Sequence, residues 1–341
     1  MDLIKREEEE EVDRITNLPD SLIHHILSSL HIKHVAQTSV LSKRWSYIWI
    51  THPILDFQDS KCSTSTSSES DDSECFTPTS SDTNTSPESQ TNDFMDFVDG
   101  TLHRRHSGAN IQRFAITWSQ HLNKYRVNSW ITSVVRHNVE QLSLCLDQGS
   151  NPMIITRSLN VRIPNHISFP KLKCLVLDGV EFSDDDEYWN ENLFSNCSVL
   201  EDFNIPRCTW FDIPNFCISA PALKNFKMDL WEDVREDAGL RGCALKVDAP
   251  NLESFYYDAS IAKEYVLTTF PLLVRAAVLF RFKPKRKQRI GHGAAVSQFF
   301  RALANVKRLS VSDDTLKVFL HAYEFRIVYG SFFFSLFNQT P

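Results

Sequence analysis

Between Ile111 and Val311 one spacing recurs eight times: an apolar residue, two spacers, an apolar residue, one spacer, an apolar residue. The instances are Ile111/Phe114/Ile116, Val139/Leu142/Leu144, Leu172/Leu175/Leu177 and Leu200/Phe203/Ile205, then Leu223/Phe226/Met228, Leu252/Phe255/Tyr257, Leu273/Ala276/Val278 and Val306/Leu309/Val311. Their first positions lie 28, 33, 28, 23, 29, 21 and 33 residues apart. Four units share a lead-in: Phe169-Pro170-Lys171-Leu172, Ala220-Pro221-Ala222-Leu223, Ala249-Pro250-Asn251-Leu252 and Phe270-Pro271-Leu272-Leu273.

Chance produces one such match in any α/β protein, but not eight with four matching lead-ins. A short strand entered after a proline, at a period of roughly 20–30 residues, marks a leucine-rich solenoid. Each unit offers an apolar strand edge that only the next unit covers, so the units stack. The uneven period and the poor fits at Tyr257 and Ala276 predict an irregular array rather than a smooth horseshoe. Residues 313–341 break the pattern with Phe332-Phe333-Phe334-Ser335-Leu336-Phe337. They read either as a divergent cap or as an array cut short.

Ahead of the repeats lie three further zones: an acidic tail over 1–13, a compact helical segment over 14–56 and a Ser/Thr-rich segment over 57–93. Residues 58–93 hold eighteen Ser or Thr, eight acids and only Lys61. Such a composition buries too little apolar surface to offset its ordering entropy, which predicts a disordered linker between two modules. Thr77-Pro78 and Ser86-Pro87 are the phosphorylation candidates within it. The chain's −7, from 36 basic and 43 acidic residues of 341, is concentrated there. Residues 1–13 carry −5 and 58–93 carry −7, so the rest of the chain carries +5.

In the helical segment, Pro19 suits a helix start. Leu22, Ile23, Ile26, Leu27 and Leu30 follow at helical spacing, predicting one apolar face. A second short helix is expected over Val35 to Val40. In a third, Ser42 serves as cap and Trp45, Ile48 and Trp49 line one side. So small a unit cannot bury all these side chains by itself, so part of the apolar face belongs to a partner or to the solenoid.

These residues carry a resemblance. Asp13-Arg14-Ile15-Thr16-Asn17-Leu18-Pro19-Asp20, with Leu22, Ile26-Leu27 and Leu30, resembles the opening of an F-box. Thr38-Ser39-Val40-Leu41-Ser42-Lys43-Arg44-Trp45, with Trp49 following, resembles its second half. The helix around Trp130-Ile131 and the Phe-Pro-x-Leu lead-in at Phe169 are similar to plant F-box/leucine-rich-repeat proteins of the FBD-associated type, with the C-terminal domain expected to be lacking. The resemblance implies an α/β fold, a three-helix F-box followed by an irregular solenoid of short parallel strands. It also implies a substrate-recruiting subunit of a Skp1–cullin–F-box ubiquitin ligase. The F-box would dock on a Skp1-type adaptor, and through it a cullin, while the repeats hold an unknown target protein. Leu18, Pro19, Leu22, Ile26, Leu27, Val40, Leu41 and Trp45 would meet the adaptor, about half of them in direct contact and the rest in the F-box core. The alternative is a non-degradative or truncated scaffold that competes with full-length relatives.

Catalytic machinery is not expected. No G-x-S-x-G, H-E-x-x-H or Gly-rich phosphate loop occurs. His24, His25, His31 and His34 cluster, but neighbours such as His24 and His25 diverge by about 100° on a helix, which disfavours a metal site. Asp184-Asp185-Asp186-Glu187 lacks the spacing and glycine of a calcium loop. A hydrolase built on Cys145 or Cys174 is the weakest reading, and Cys197, Cys208 and Cys217 read as small hydrophobes at unit corners. No cofactor or metal is predicted. Eight cysteines without a C-x-x-C pair suit a reducing compartment. The acidic N-terminus lacks the apolar stretch of a signal peptide, and no run reaches the ~18 apolar residues of a membrane span. A nuclear or cytoplasmic location is therefore expected.

Six bases stand in nine positions from Arg281: Arg281, Lys283, Lys285, Arg286, Lys287 and Arg289. They read as an inserted loop, as a nuclear-import signal or as an anion patch. Without interleaved aromatics they do not predict nucleic-acid binding.

Overall fold

The computed structural model describes residues 18–30, 32–58, 86–105, 108–120, 122–146, 159–160, 169–183, 191, 194–195, 197–229, 239–281 and 293–316. Helix α1 (Asp20–Ser28), α2 (Ile32–Gln37), a 3-10 turn (Thr38–Val40) and α3 (Lys43–Thr51) form the N-terminal helical unit. The Ser42 hydroxyl accepts from the Trp45 amide at 3.3 Å, the cap expected from the sequence. The helix expected over Val35 to Val40 starts earlier, at Ile32, and ends as the 3-10 turn.

From α3 the chain runs directly into β1 (Ile54–Gln58). After α4 (Pro87–His103) come β2 (Arg113–Trp118), α5 (Lys124–Arg136), β3 (Gln141–Leu146), β4 (Leu159–Asn160), β5 (Cys174–Asp178) and β6 (Val180–Ser183). Strands β7 (Asp202–Pro206), β8 (Thr209–Phe211), β9 (Asn215–Ser219), β10 (Asn225–Asp229) and β11 (Ala244–Asp248) follow. The remainder is β12 (Ser254–Ser260), β13 (Glu264–Leu267), β14 (Arg275–Arg281), α6 (Gly293–Ala302) and β15 (Arg308–Val311).

Nine strands form one sheet in the order β1-β2-β3-β5-β7-β10-β12-β14-β15, and every pairing within it is parallel. Two three-stranded sheets, β4-β6-β8 and β13-β11-β9, are formed by the segments between those strands. All eight sequence repeats are strands of the large sheet, an α/β solenoid behind N-terminal helices. Their middle apolar positions make one unbroken row with Leu55: Leu55, Phe114, Leu142, Leu175, Phe203, Phe226, Phe255, Ala276 and Leu309. Along that row Phe203, Phe226 and Phe255 stack at ring separations of 5.7 and 5.5 Å. A shared row and period-2 burial explain why the register is fixed, since a one-residue slip would turn every apolar side chain outward.

The proline lead-ins have a local cause. In each, the amide of the first leucine bonds the carbonyl three residues back: Leu172 to Phe169, Leu223 to Ala220, Leu252 to Ala249 and Leu273 to Phe270. Proline sits at the second position of the turn, where its fixed φ is favourable. Cys197 to Leu200 makes the same turn without proline.

Two expectations need correction. Of the segment 57–93, residues 57–58 and 86–93 are ordered parts of the fold. Phe57 and Gln58 belong to β1, and residues 87–93 open α4, whose Thr91 and Phe94 are buried. Because β1 pairs with β2, the sheet begins next to the helical unit rather than at residue 94, while 59–85 lie outside the described residues. Helix-capping by Ser86 and packing of Phe94 on Trp118, 3.9 Å between ring centroids, outweigh the polar composition of 86–93. Tyr257 and Ala276, the poorest fits to the repeat, still keep its register. Both are buried in the common register, and the Tyr257 hydroxyl is satisfied by Tyr265 Oη at 2.9 Å and the Ser260 carbonyl at 2.8 Å. The boundary placed after residue 312 also moves. Thr315 is buried and its hydroxyl accepts from the Phe280 amide at 2.7 Å, so the fold continues past the last repeat strand. Residues 317–341 lie outside the described residues.

Candidate functional site

The apolar face of α1 is divided between interior and surface. Ile23 and Leu27 point inward and are buried with Ile32, Val35, Trp45, Ile48 and Trp49. Leu22, Ile26 and Leu30, spaced i, i+4, i+8, remain 42–50% exposed. Beside them the 3-10 turn presents Val40 and Leu41, 86% and 60% exposed, and α3 adds Tyr47. Large aliphatic side chains this open, clustered on one small unit, are the mark of a partner surface.

Of the eight residues singled out for the adaptor, Pro19, Leu22, Ile26, Val40 and Leu41 are exposed. Leu18 is half-buried and packs on the core. Leu27 and Trp45 are buried among the core residues, because helix geometry turns them toward the inner layer. Leu30 and Tyr47 are exposed members not named there; spacing i+8 from Leu22 marks Leu30, whereas nothing in the sequence marked Tyr47.

Arg44 holds the start of this face. Its guanidinium donates to Asp20 Oδ1, 3.0 Å from Nε, and to the Leu18 carbonyl. Helix α3 therefore fixes Leu18-Pro19 at the entry to α1. Behind the face, His24 stacks on His52 at 5.9 Å between ring centroids. Arg105, from the end of α4, donates to the His52 carbonyl at 2.8 Å and to the Asn110 carbonyl at 3.3 Å. Burial, then His24, then Arg105 hold His52 down at about 4, so it is neutral. Burial alone lowers Arg105 to about 10.

The histidine cluster divides likewise. His25 is exposed, His34 Nδ1 lies 3.0 Å from Gln37 Oε1, and His31 lies outside the described residues. Among the described residues no group of three His, Cys, Asp or Glu side chains could hold a metal ion. Burial raises the thiols of Cys145 and Cys174, the direction opposite to an activated nucleophile. Cys197 and Cys208 are buried, as expected of small hydrophobes, with Cys197 pushed up to about 12, while Cys217 is only half-buried. The Asp184 to Glu187 run lies outside the described residues.

The outer face of the large sheet is polar and largely self-paired. On its rim, the residue after the first apolar position alternates in sign over five consecutive units: Glu140, Lys173, Glu201, Lys224, Glu253. Lys173 bonds Glu140 at 2.9 Å and Lys224 bonds Glu201 at 2.7 Å. Arg207 grips Asp178 through two bonds of 2.6 and 2.7 Å. Arg281, expected in the basic patch, instead ends β14 and pairs with the buried Asp258, Nη2 to Oδ2 at 2.6 Å. Lys283, Lys285, Arg286, Lys287 and Arg289 lie outside the described residues. Such an arrangement supports non-covalent docking on two faces, one apolar and helical, one polar and sheet-borne. No helix among the described residues is long and apolar enough to cross a membrane.

The F-box domain family matches residues 15–57. Among curated proteins, a putative F-box/LRR-repeat protein of Arabidopsis thaliana is 30% identical over 90% of this chain and 67% of its own length. A putative F-box/FBD/LRR-repeat protein of the same plant is 28% identical over 90% of the chain and 60% of its own length. An F-box/LRR-repeat protein, also from Arabidopsis thaliana, is 27% identical over 91% of the chain and 80% of its own length. The chain thus spans between 56% and 80% of the length of curated relatives such as these. No solved structure matches it. An F-box at the head of a sheet built from leucine-rich units, shared with these relatives over nine-tenths of its length, places the chain in the plant F-box/LRR-repeat protein family.

Proposed function

We propose that this F-box adaptor is the substrate-recruiting subunit of a Skp1–cullin–F-box ubiquitin ligase, working in the nucleus or cytoplasm. The observation that carries the reading is the open face of Leu22, Ile26, Leu30, Val40 and Leu41, set on a core that Leu27 and Trp45 complete. A partner covering that face removes aliphatic surface from water, worth about 25 cal/mol per Å² before association costs. The target would be held by the solenoid, and the transfer chemistry would belong to other subunits.

The test is capture by a Skp1-type adaptor. Wild type is expected to bind, and Leu22→Ala/Val40→Ala to lose binding without a change in melting temperature. Failure of the wild type to bind, or undiminished binding by the double variant, ends the reading. Target half-life on overexpression then separates recruitment, which shortens it, from a competing scaffold, which lengthens it.

A further inference from the structure

Cations on the outer face of the large sheet are paired with acids along most of its width. Besides the rim ladder and the Arg207 and Arg281 pairs, Arg113 reaches Asp56 at 3.3 Å and Lys227 reaches Asp229 at 3.5 Å. The starts of the last two strands depart from this. Arg275 of β14 and Arg308 of β15 are register partners, and both are exposed. Neither forms an ion pair with an acid among the described residues, and neither does Lys307, exposed just before β15. The rim ladder ends here because Val274 occupies the next rung after Glu253. Like charges opposite one another on adjacent strands cost stability, so the arginine pair does not serve to hold β15 on the sheet.

We propose that Arg275 and Arg308, with Lys307 beside them, are the docking point for an Asp/Glu-rich segment of the target protein. The inference rests on the solenoid being the target-holding part. Guanidinium forks grip carboxylates bidentately. Two forks on strands about 4.8 Å apart would suit alternate carboxylates of an extended segment, about 7 Å apart, since long flexible stems allow the guanidinium groups to separate by that difference. The chain's own Glu7–Glu11 run is poorly placed to compete. Eight strand steps separate β1 from β15, roughly 38 Å at ideal spacing, while the seven residues from Glu11 to Leu18 span at most roughly 25 Å. The docking point therefore stands apart from that N-terminal run.

The test uses the full-length chain and a fluorescent Asp/Glu-rich peptide in an anisotropy titration, with a peptide carrying Ser at the acidic positions as control. Binding of the acidic peptide alone, weakening as salt is added, is expected. Arg275→Ala/Arg308→Ala should weaken it by about tenfold or more, and Arg275→Lys/Arg308→Lys by less. Because a repulsion is removed, the alanine variant should melt no lower than wild type, so lost binding is not unfolding. Equal binding of both peptides, no binding, or undiminished binding by the alanine variant overturns the inference. So does tighter binding of a phosphoserine peptide, or a rise in affinity when residues 1–13 are deleted, since each names a different occupant. Adaptor capture on the same samples keeps the two proposals apart: loss of peptide binding with capture intact removes only this one.

Discussion

Leu55 and Phe114 are partners across the parallel pair β1–β2, both fully buried. Leu55 follows directly on the last F-box helix, whereas Phe114 opens the first repeat strand. The F-box is thus joined to the solenoid by a strand pairing and a common core, and the Arg105 bond to the His52 carbonyl closes the same junction from α4. An adaptor seated on α1 and a target seated on the sheet would be held at a set distance by this join.

Leu55→Ala should therefore cost about 2–5 kcal/mol, the usual loss for a buried leucine, and should lower one transition shared by helices and sheet. Calorimetry with hydrogen exchange checks it. Two separate transitions, with only the helical amides released first, would contradict a single cooperative unit.

Gly179 links β5 to β6 with φ +69, and a Cβ there would meet the Leu146 carbonyl oxygen at 2.6 Å. Gly179→Ala is expected to destabilise by about 1–3 kcal/mol, because backbone cannot move aside as a side chain can. Gly100, inside α4, has open space where a Cβ would sit, with nothing within 4 Å. Gly100→Ala should instead stabilise by about 0.5–1 kcal/mol. Urea midpoints of the two variants should move in opposite directions.

His52 is held neutral, its pKa lowered from 6.5 to about 4. An unfolded chain takes up this proton first as pH falls, so the stabilisation is full above 6.5 and is lost on descending to about 4. The size is about 3 kcal/mol at most. Denaturation midpoints of wild type and His52→Phe, measured across that window, should show a shallower pH slope for the variant. Identical slopes would refute the assignment.

The rim ladder should respond to charge and salt. Lys224 lowers the Glu201 pKa, and Glu201 in turn raises that of Lys224. For Glu201 the stabilisation holds above its ordinary carboxylate range and fades as pH falls through its lowered value; for Lys224 it holds below the ordinary lysine range and fades above it. Lys224→Glu would set three acids side by side. Its midpoint should fall relative to wild type, more at low salt than at high salt, since the pairs are exposed. A loss insensitive to salt would point to packing instead.

The sequence by itself determined the repeat strands, their common apolar row and the F-box, because a strand's period of 2 and a helix's period of 3.6 are local and survive in the order of residues. It also determined the cap at Ser42 and the turns built on Pro170, Pro221, Pro250 and Pro271, which depend on neighbours in the chain. Tertiary structure alone decided the rest. Leu22 and Leu27 belong to the same apolar stripe, and only the layer beneath α1 turns Leu27 into core and leaves Leu22 open. Arg281 reads as one of six bases until β14 brings its guanidinium within reach of Asp258 on β12. Arg275 and Arg308, 33 positions apart, become a pair only through the register of β14 and β15. Residues 57–58 and 86–93 read as parts of a polar tether because composition records the entropy of a segment and not the β1 pairing or the α4 packing that hold them.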